Sequence, residues 1–233
     1  MCSSDLVLGV FGLGVHVNEE LPAKPALVLI AVKPQMMQEA LPTLQAMGGG
    51  ETVFLSVAAG ISIETYEDIL GANSPILRAM PNTPAAIGQG ITALIGNAVS
   101  TADHIDLAHA LLSAIGEVVD LDSESQMDAV TGVSGSGPAY VFYMIDALAK
   151  AGEAQGLSPD LAMQLAKATV AGAGALAKAA EETPEQLRIN VTSPNGTTQA
   201  GLEVLMDQNA GLTPLIGGTV AAATMRSKEL SNG

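Results

Sequence analysis

The run Ala26-Leu27-Val28-Leu29-Ile30-Ala31-Val32, closed by Lys33-Pro34, decides the fold class of this chain. Seven apolar residues with no polar alternate read as a strand buried on both faces, the habit of a parallel sheet covered by helices. The pattern then repeats. A helical stretch over 36–45 leads to Gly48-Gly49-Gly50, and 52–57 is a second strand of the same kind. Ala58-Ala59-Gly60 ends it, and 62–70 reads as a short helix. Residues 75–80 form a third strand and 91–95 a fourth. A helix over 101–115, with Thr101 as its N-cap, precedes a short strand at 117–120. Strands alternating with helices at this spacing imply right-handed βαβ units and a parallel sheet.

The character changes at the polar stretch 122–126, beyond which no strand pattern recurs. Helix starts are marked instead by Pro138, Pro159, Pro184 and Pro214, each near a first helical position. Thr183-Pro184-Glu185-Gln186 also fits a capping box, with Gln186 reaching back to the Thr183 amide. The fold class is therefore α/β plus all-α: a sheet domain over 1–121 and a helical domain over 122–233.

Composition narrows the partners. With 24 acids against 9 bases the chain carries a net −15, which repels phosphate backbones and excludes nucleic acid as a partner. The longest wholly apolar run, 26–32, is far short of a membrane span. Cys2 is the single cysteine, so no disulfide framework exists and a reducing cytoplasm suits the chain. At 48% hydrophobic and 14% charged, the chain has apolar surface to spare for a second copy of itself. His16, His104 and His109 do not share a helix face and no Cys cluster accompanies them, so no metal site is expected.

Ligands of open α/β sheets bind beyond the carboxyl ends of the strands. Those ends carry Val32, Lys33, Pro34 and Gln35, then Ala58, Ala59 and Gly60, then Pro81, Asn82, Thr83 and Pro84. Lys33 offers a cation, Asn82 and Thr83 offer hydrogen bonds, and the small residues let backbone approach a flat ligand. Three such ends together point to a nucleotide.

A second candidate is Thr192-Ser193-Pro194-Asn195-Gly196-Thr197-Thr198, which opens a helical stretch. Free amides at a helix start flanked by hydroxyls suit a carboxylate; ordinary N-capping by Thr or Asn suits the same residues. A third stretch, Gly132-Val133-Ser134-Gly135-Ser136-Gly137-Pro138-Ala139-Tyr140, lacks the lysine and spacing of a phosphate-binding loop. It fits a nucleophile elbow only with relaxed spacing, and no histidine follows it. A packed glycine-rich turn between the domains is the reading it supports.

Together these segments resemble pyrroline-5-carboxylate reductase. The matches are Ala31-Val32-Lys33-Pro34-Gln35, Ser56-Val57-Ala58-Ala59-Gly60, Arg78-Ala79-Met80-Pro81-Asn82-Thr83-Pro84, the stretch from Asp128 through Tyr140, and the stretch from Gln186 through Thr198. They run in the family's order from about Gly14 to the C-terminus, and the last two are specific to the family. The resemblance implies a Rossmann domain holding NADPH or NADH along Val32, Lys33, Pro34, Ala59, Asn82 and Thr83, and a helical domain that forms a homodimer. It places the substrate carboxylate on Ser193, Gly196, Thr197 and Thr198, Asn190 toward the nicotinamide, and Glu181 near the substrate ring. The implied reaction is hydride transfer to the C=N bond of 1-pyrroline-5-carboxylate, giving proline, with Thr198 and Glu181 as the catalytic side chains.

Two departures stand out. Asn195 occupies a position where the family usually has glycine, and Asn tolerates a left-handed backbone. The family's opening strand, Gly-x-Gly-x-x-Gly turn and helix are represented only by residues 6–14. Gly12 and Gly14 are present, but position 17 is Val17 and the next strand follows at once. The dinucleotide-binding domain thus reads as incomplete at its N-terminus. Two other readings stay open. One is a catalytically impaired fragment that keeps the helical dimer. The other is a different small Rossmann dehydrogenase, such as a β-hydroxyacid dehydrogenase, whose catalytic lysine would be Lys150 or Lys167.

Overall fold

The computed structural model describes residues 24–231. Cys2, His16, Val17 and the Gly12-x-Gly14 stretch lie outside the described residues.

Five strands form one sheet in the order β1-β2-β3-β4-β5: Leu27–Ile30, Val53–Ser56, Ile76–Met80, Gly90–Gly96 and Gly116–Asp120. β1, β2 and β3 are parallel, with Leu29 beside Leu55 and Leu55 beside Leu77. Crossover helices α1 (Met37–Leu44) and α2 (Ile63–Leu70) join them. The all-parallel expectation fails at one place: β4 runs antiparallel to β3, with Ala79 opposite Leu94. Only residues 81–89 separate the two strands, and a parallel return needs a dozen or more. After that reversal, β5 is parallel to β4 across helix α3 (Ala102–Leu112). β1 is less covered than a run of seven apolar residues suggested, since only Ile30 of its four residues is buried.

The reversal also explains the layering. Right-handed crossovers that keep moving one way across a sheet stay on one face until the strand direction flips, then change face. Accordingly α1 and α2 pack with Ile30, Phe54 and Ile76, whereas Ala108 and Leu112 of α3 pack with Val53, Leu55, Leu77 and Leu94. Alternate residues of β2 and β3 feed the two layers, as the pleat requires.

The sheet interior holds two polar devices. Tyr66 of α2 is wholly buried, and its hydroxyl shares a 2.6 Å hydrogen bond with Ser56 Oγ, which also accepts from the Ala58 amide. Arg78, buried on β3, forms an ion pair with Glu124. The same Glu124 oxygen accepts from the Ile63 amide at 2.8 Å, at the first turn of α2, where a carboxylate is favoured by the helix dipole.

The helix starts follow the sequence closely. Ser62 caps α2, and Thr101 caps α3 in a box completed by the His104 ring. Beyond Asp120 the described residues contain no strand. They form a short α4 (Met127–Val130), a π-helical turn at Thr131–Gly135, then α5 (Gly137–Ala154), α6 (Pro159–Ala179), α7 (Pro184–Asn190), α8 (Thr197–Leu205) and α9 (Leu212–Ser231). The Thr183 box is half made. Thr183 Oγ1 accepts from the Gln186 amide, but the Gln186 side chain donates forward to Asn190 Oδ1 instead of back to Thr183.

By contacts, residues through Ser136 group with those from Ala222 onward, and Gly137 through Ala221 form a second unit. Ser227 donates to Asp128 Oδ1 at 2.7 Å, fastening the end of α9 within the first unit. The buried interior of the second unit is three alanines, Ala149, Ala162 and Ala166, where α5 and α6 touch.

Burial raises the Tyr66 phenol above its ordinary value of 10.0, while the Ser56 bond and the Arg78 charge pull it down less strongly. A raised phenol keeps its proton in the folded chain after the unfolded chain has lost it. The resulting stability is complete below pH 10 and is lost as pH climbs toward the folded value. Tyr66→Phe is therefore expected to lower stability by about 1 kcal/mol at neutral pH and to flatten the loss above pH 10. Urea melts across pH 8 to 11 check both effects.

Candidate functional site

The parallel pairing of β1, β2 and β3 brings their carboxyl ends to one edge of the sheet. Val32 and Lys33 follow β1, Ala58, Ala59 and Gly60 follow β2, and Pro81, Asn82 and Thr83 follow β3. Val32 and Ala59 are half-buried, and Lys33 and Thr83 are exposed. Gly60 sits at φ +78°, a left-handed turn that folds the chain back from β2 into α2 without a side chain in the way. The edge therefore presents small residues, backbone and one exposed ammonium. This donor set suits a flat dinucleotide with phosphates.

Asn82 sits in this edge with its side chain engaged. Its Nδ2 donates to the Ser134 carbonyl at 3.2 Å, and its Oδ1 accepts from the Ile91 amide at 3.0 Å.

The second candidate lies in the helical unit. The Thr192 hydroxyl donates to the Arg188 carbonyl at 2.6 Å, tying the loop to the end of α7. The Gly196 amide donates to the Ser193 carbonyl at 3.0 Å, closing a tight turn. Asn195, inside that turn, has φ +58° and is the only described residue other than glycine with positive φ. Its amide donates to Gln199 Oε1 at 2.8 Å. The turn delivers the chain into α8 with Gly196 as N-cap, and no side chain caps the helix.

That detail decides against the capping reading of 192–198. A Thr or Asn oxygen would have satisfied the first-turn amides. Here the amides of Thr197 and Thr198 open the helix without a side-chain acceptor, next to the exposed Ser193, Thr197 and Thr198 hydroxyls. Gly196 fits the turn closely, since a Cβ there would stand 3.0 Å from the Ser193 carbonyl oxygen. An uncapped turn with aligned dipoles and hydroxyls can bind a carboxylate without any basic side chain.

A groove of about 370 Å³ adjoins the loop, lined by Arg188, Thr192, Gln199, Leu202, Glu203 and Met206. Its one cation, Arg188, is turned to Met206 Sδ at 3.3 Å and Glu185 at 3.6 Å. Glu203 adds a negative charge. The groove is a poor anion site, which leaves the open turn of α8 as the better one. Glu181 and Asn190 are both exposed, before and at the end of α7.

Lys150, offered above as an alternative catalytic lysine, is exposed and bonded to Asp146 at 2.7 Å, one helical turn away. That bond raises its pKa and keeps it a surface cation. His104 and His109 serve as a cap and as an Asp120 partner. Among the described residues no group of His, Cys, Asp and Glu could hold a metal, and no helix is long and apolar enough to cross a membrane.

A family profile for pyrroline-5-carboxylate reductase dimerisation matches residues 124–230. Over 226 residues the chain is 42% identical to a pyrroline-5-carboxylate reductase of Pseudomonas aeruginosa, spanning 97% of this chain and 82% of that one. It belongs to the pyrroline-5-carboxylate reductase family. The Synechocystis reductase is 44% identical over 91% of this chain and 78% of its own. A solved Coxiella burnetii pyrroline-5-carboxylate reductase superposes with a TM-score of 0.83 at 38% identity, covering 88% of this chain and 76% of that one. The Plasmodium falciparum pyrroline carboxylate reductase, solved with NADP bound, gives 0.79 at 28% identity over 88% and 77%. Family membership displaces the β-hydroxyacid dehydrogenase reading.

Three contacts lie beyond the sequence reading. Arg78 enters it only as part of a motif, although a lone arginine in an apolar strand demands a carboxylate, here Glu124. The Asn82–Ser134 and Ser227–Asp128 bonds join residues 52 and 99 apart, and no local pattern announces such pairs.

The left-handed Asn195 yields a direct test. Asn195→Gly is expected to hold or raise the melting temperature, whereas Asn195→Val should lower stability by about 1–2 kcal/mol through Cβ crowding. Thermal melts of the two variants beside the parent would show the order Gly, Asn, Val.

Proposed function

We propose that this chain transfers a hydride from NADPH or NADH to the C=N bond of 1-pyrroline-5-carboxylate, giving proline. The observation that carries the site assignment is the uncapped first turn of α8 behind the strained Asn195 turn. The amides of Thr197 and Thr198 and the Ser193 hydroxyl hold the substrate carboxylate, and Gly196 lets that turn close tightly. The Thr198 hydroxyl hydrogen-bonds the ring nitrogen, and the Glu181 carboxylate favours the protonated imine, the better hydride acceptor.

The dinucleotide supplies the hydride. Val32, Lys33, Pro34, Ala59 and Thr83, with the backbone of Asn82, line its seat at the carboxyl edge of the sheet, and Asn190 approaches the nicotinamide end. Lys33 meets a phosphate and the small residues lie along flat rings. No side chain here must act as an obligatory acid, so positioning carries most of the rate.

The protein works as a homo-oligomer, at least a dimer. The buried apolar side chains of the helical unit are alanines, while Val141, Phe142, Tyr143 and Met144 on α5 and Leu161 and Leu165 on α6 are exposed. Large apolar side chains exposed around two helices in this way mark an interface. We place the chain in the cytoplasm, in keeping with its single cysteine. We assign cofactor binding to residues 1–121 and dimerisation and substrate binding to 122–233, a functional division that differs from the contact units, in which 122–136 and the end of α9 group with the sheet.

Oxidation of NADPH and NADH, followed by their absorbance with pyrroline-5-carboxylate as acceptor, is expected to give turnover with proline as product. An intact dimer with no turnover at high cofactor would instead identify an impaired form that keeps only the helical assembly. Thr198→Val should cut kcat/KM by about tenfold to a hundredfold with little change in melting temperature. An equal loss of thermal stability would count against its role.

A further inference from the structure

The segment that leaves the sheet unit for α5 is irregular in a way its sequence explains. Residues Thr131–Gly135 form a π-helical turn, closed by the Ser136 amide donating to the Thr131 carbonyl at 2.9 Å. Such turns widen a helix by one residue and leave carbonyls without their usual partners. The α-helical partner of the Ser134 carbonyl would be the amide of residue 138. That residue is Pro138, which has no N–H. A half-buried carbonyl left without a donor is costly.

Asn82 supplies the missing donor. Its Nδ2 reaches the Ser134 carbonyl at 3.2 Å, and its Oδ1 accepts from the Ile91 amide at the start of β4. Asn82 is therefore held at both ends, between the loop after β3 and the first hydrogen bonds of β4. The proline and the asparagine thus form one device, although Asn82 lies 52 residues from Ser134.

We infer that Asn82 is a positioning residue whose side-chain amide replaces the N–H that Pro138 lacks, holding the Ser134 turn against the carboxyl edge of the sheet. This rests on the reductase reading for its effect on rate, because hydride transfer falls steeply with small displacements of the reacting atoms. The edge that Asn82 belongs to is the proposed dinucleotide seat, and the turn that it grips leads directly into α5.

Three variants test the device: Asn82→Ala, Pro138→Ala and the double substitution, with Asn82→Asp in reserve should the alanine variant not fold. Asn82→Asp keeps the acceptor for Ile91 but turns an oxygen toward the Ser134 carbonyl. Asn82→Ala is expected to lower kcat by about tenfold to a hundredfold, with the KM for the dinucleotide changed less than about threefold. Pro138→Ala alone should stay within about twofold of the parent. In the double variant kcat should recover part of the loss, because replacing the proline restores a backbone N–H and gives the Ser134 carbonyl its own helical donor, while the Ile91 amide stays without the Asn82 acceptor.

Amide hydrogen exchange over 131–137 is the readout that needs no turnover. It should quicken in Asn82→Ala and return toward the parent rate in the double variant. A parent chain without turnover would sink the reductase reading while exchange still tests the clamp. The inference is overturned by a rise in dinucleotide KM at unchanged kcat, which would make Asn82 a ligand contact. Absence of recovery with Pro138→Ala, in both rate and exchange, would overturn it equally.

Discussion

A single carboxylate, Glu124, gathers three parts of the sheet unit that are far apart in sequence. It neutralises Arg78 on the central strand, accepts from the first amide of α2, and stands at the head of the segment that leads to the helices. An unpaired guanidinium in a sheet interior is far costlier than the pair. The position of α2, the exit of the chain from the sheet, and the depth of β3 are thus tied to one ion pair. Since the loops after β2 and β3 form much of the proposed cofactor edge, the pair also sets the frame in which a dinucleotide would lie.

The two proposed seats, for the dinucleotide and for the carboxylate, use opposite means to the same end. At the sheet edge, ligand space comes from regular strands that stop together and from small residues at their ends. At α8, it comes from an irregular turn in which Asn195 holds a left-handed backbone and Gly196 caps without a side chain. The first is the general property of parallel sheets; the second is local strain kept where the chain has a use for it. In both, backbone amides outnumber charged side chains. Such seats suit anionic ligands even in a chain with a net charge of −15, because fixed dipoles act at contact range, where the distant field is screened.

Much of this was legible in the residues. The apolar runs marked β2 and β3 within a residue or two, and Ser62, Thr101 and Pro159 marked helix starts by chemistry that acts over three or four residues. Asn195 announced its left-handed turn because few other side chains tolerate one. What escaped was directional or distant. The antiparallel β4 looks like its neighbours in composition, and only the short connection over 81–89 betrays it. Gln186 had two partners within reach and took Asn190 over Thr183, a competition that spacing alone does not resolve. Asn82 offered hydrogen bonds to a ligand on paper, but its side chain faces Ser134 and Ile91, which lie beside it only in the folded chain.

The alanine interior of the helical unit has a consequence for the cell. Where folding is completed by a second copy, the stability of each chain depends on how many copies are present. A tenfold fall in concentration then removes about 1.4 kcal/mol per dimer, with no change in sequence. Expression level and robustness become one variable. A promoter variant could expose the apolar faces of α5 and α6 to proteolysis as surely as a substitution within them, and a cell that makes little of this chain would also keep less of it folded.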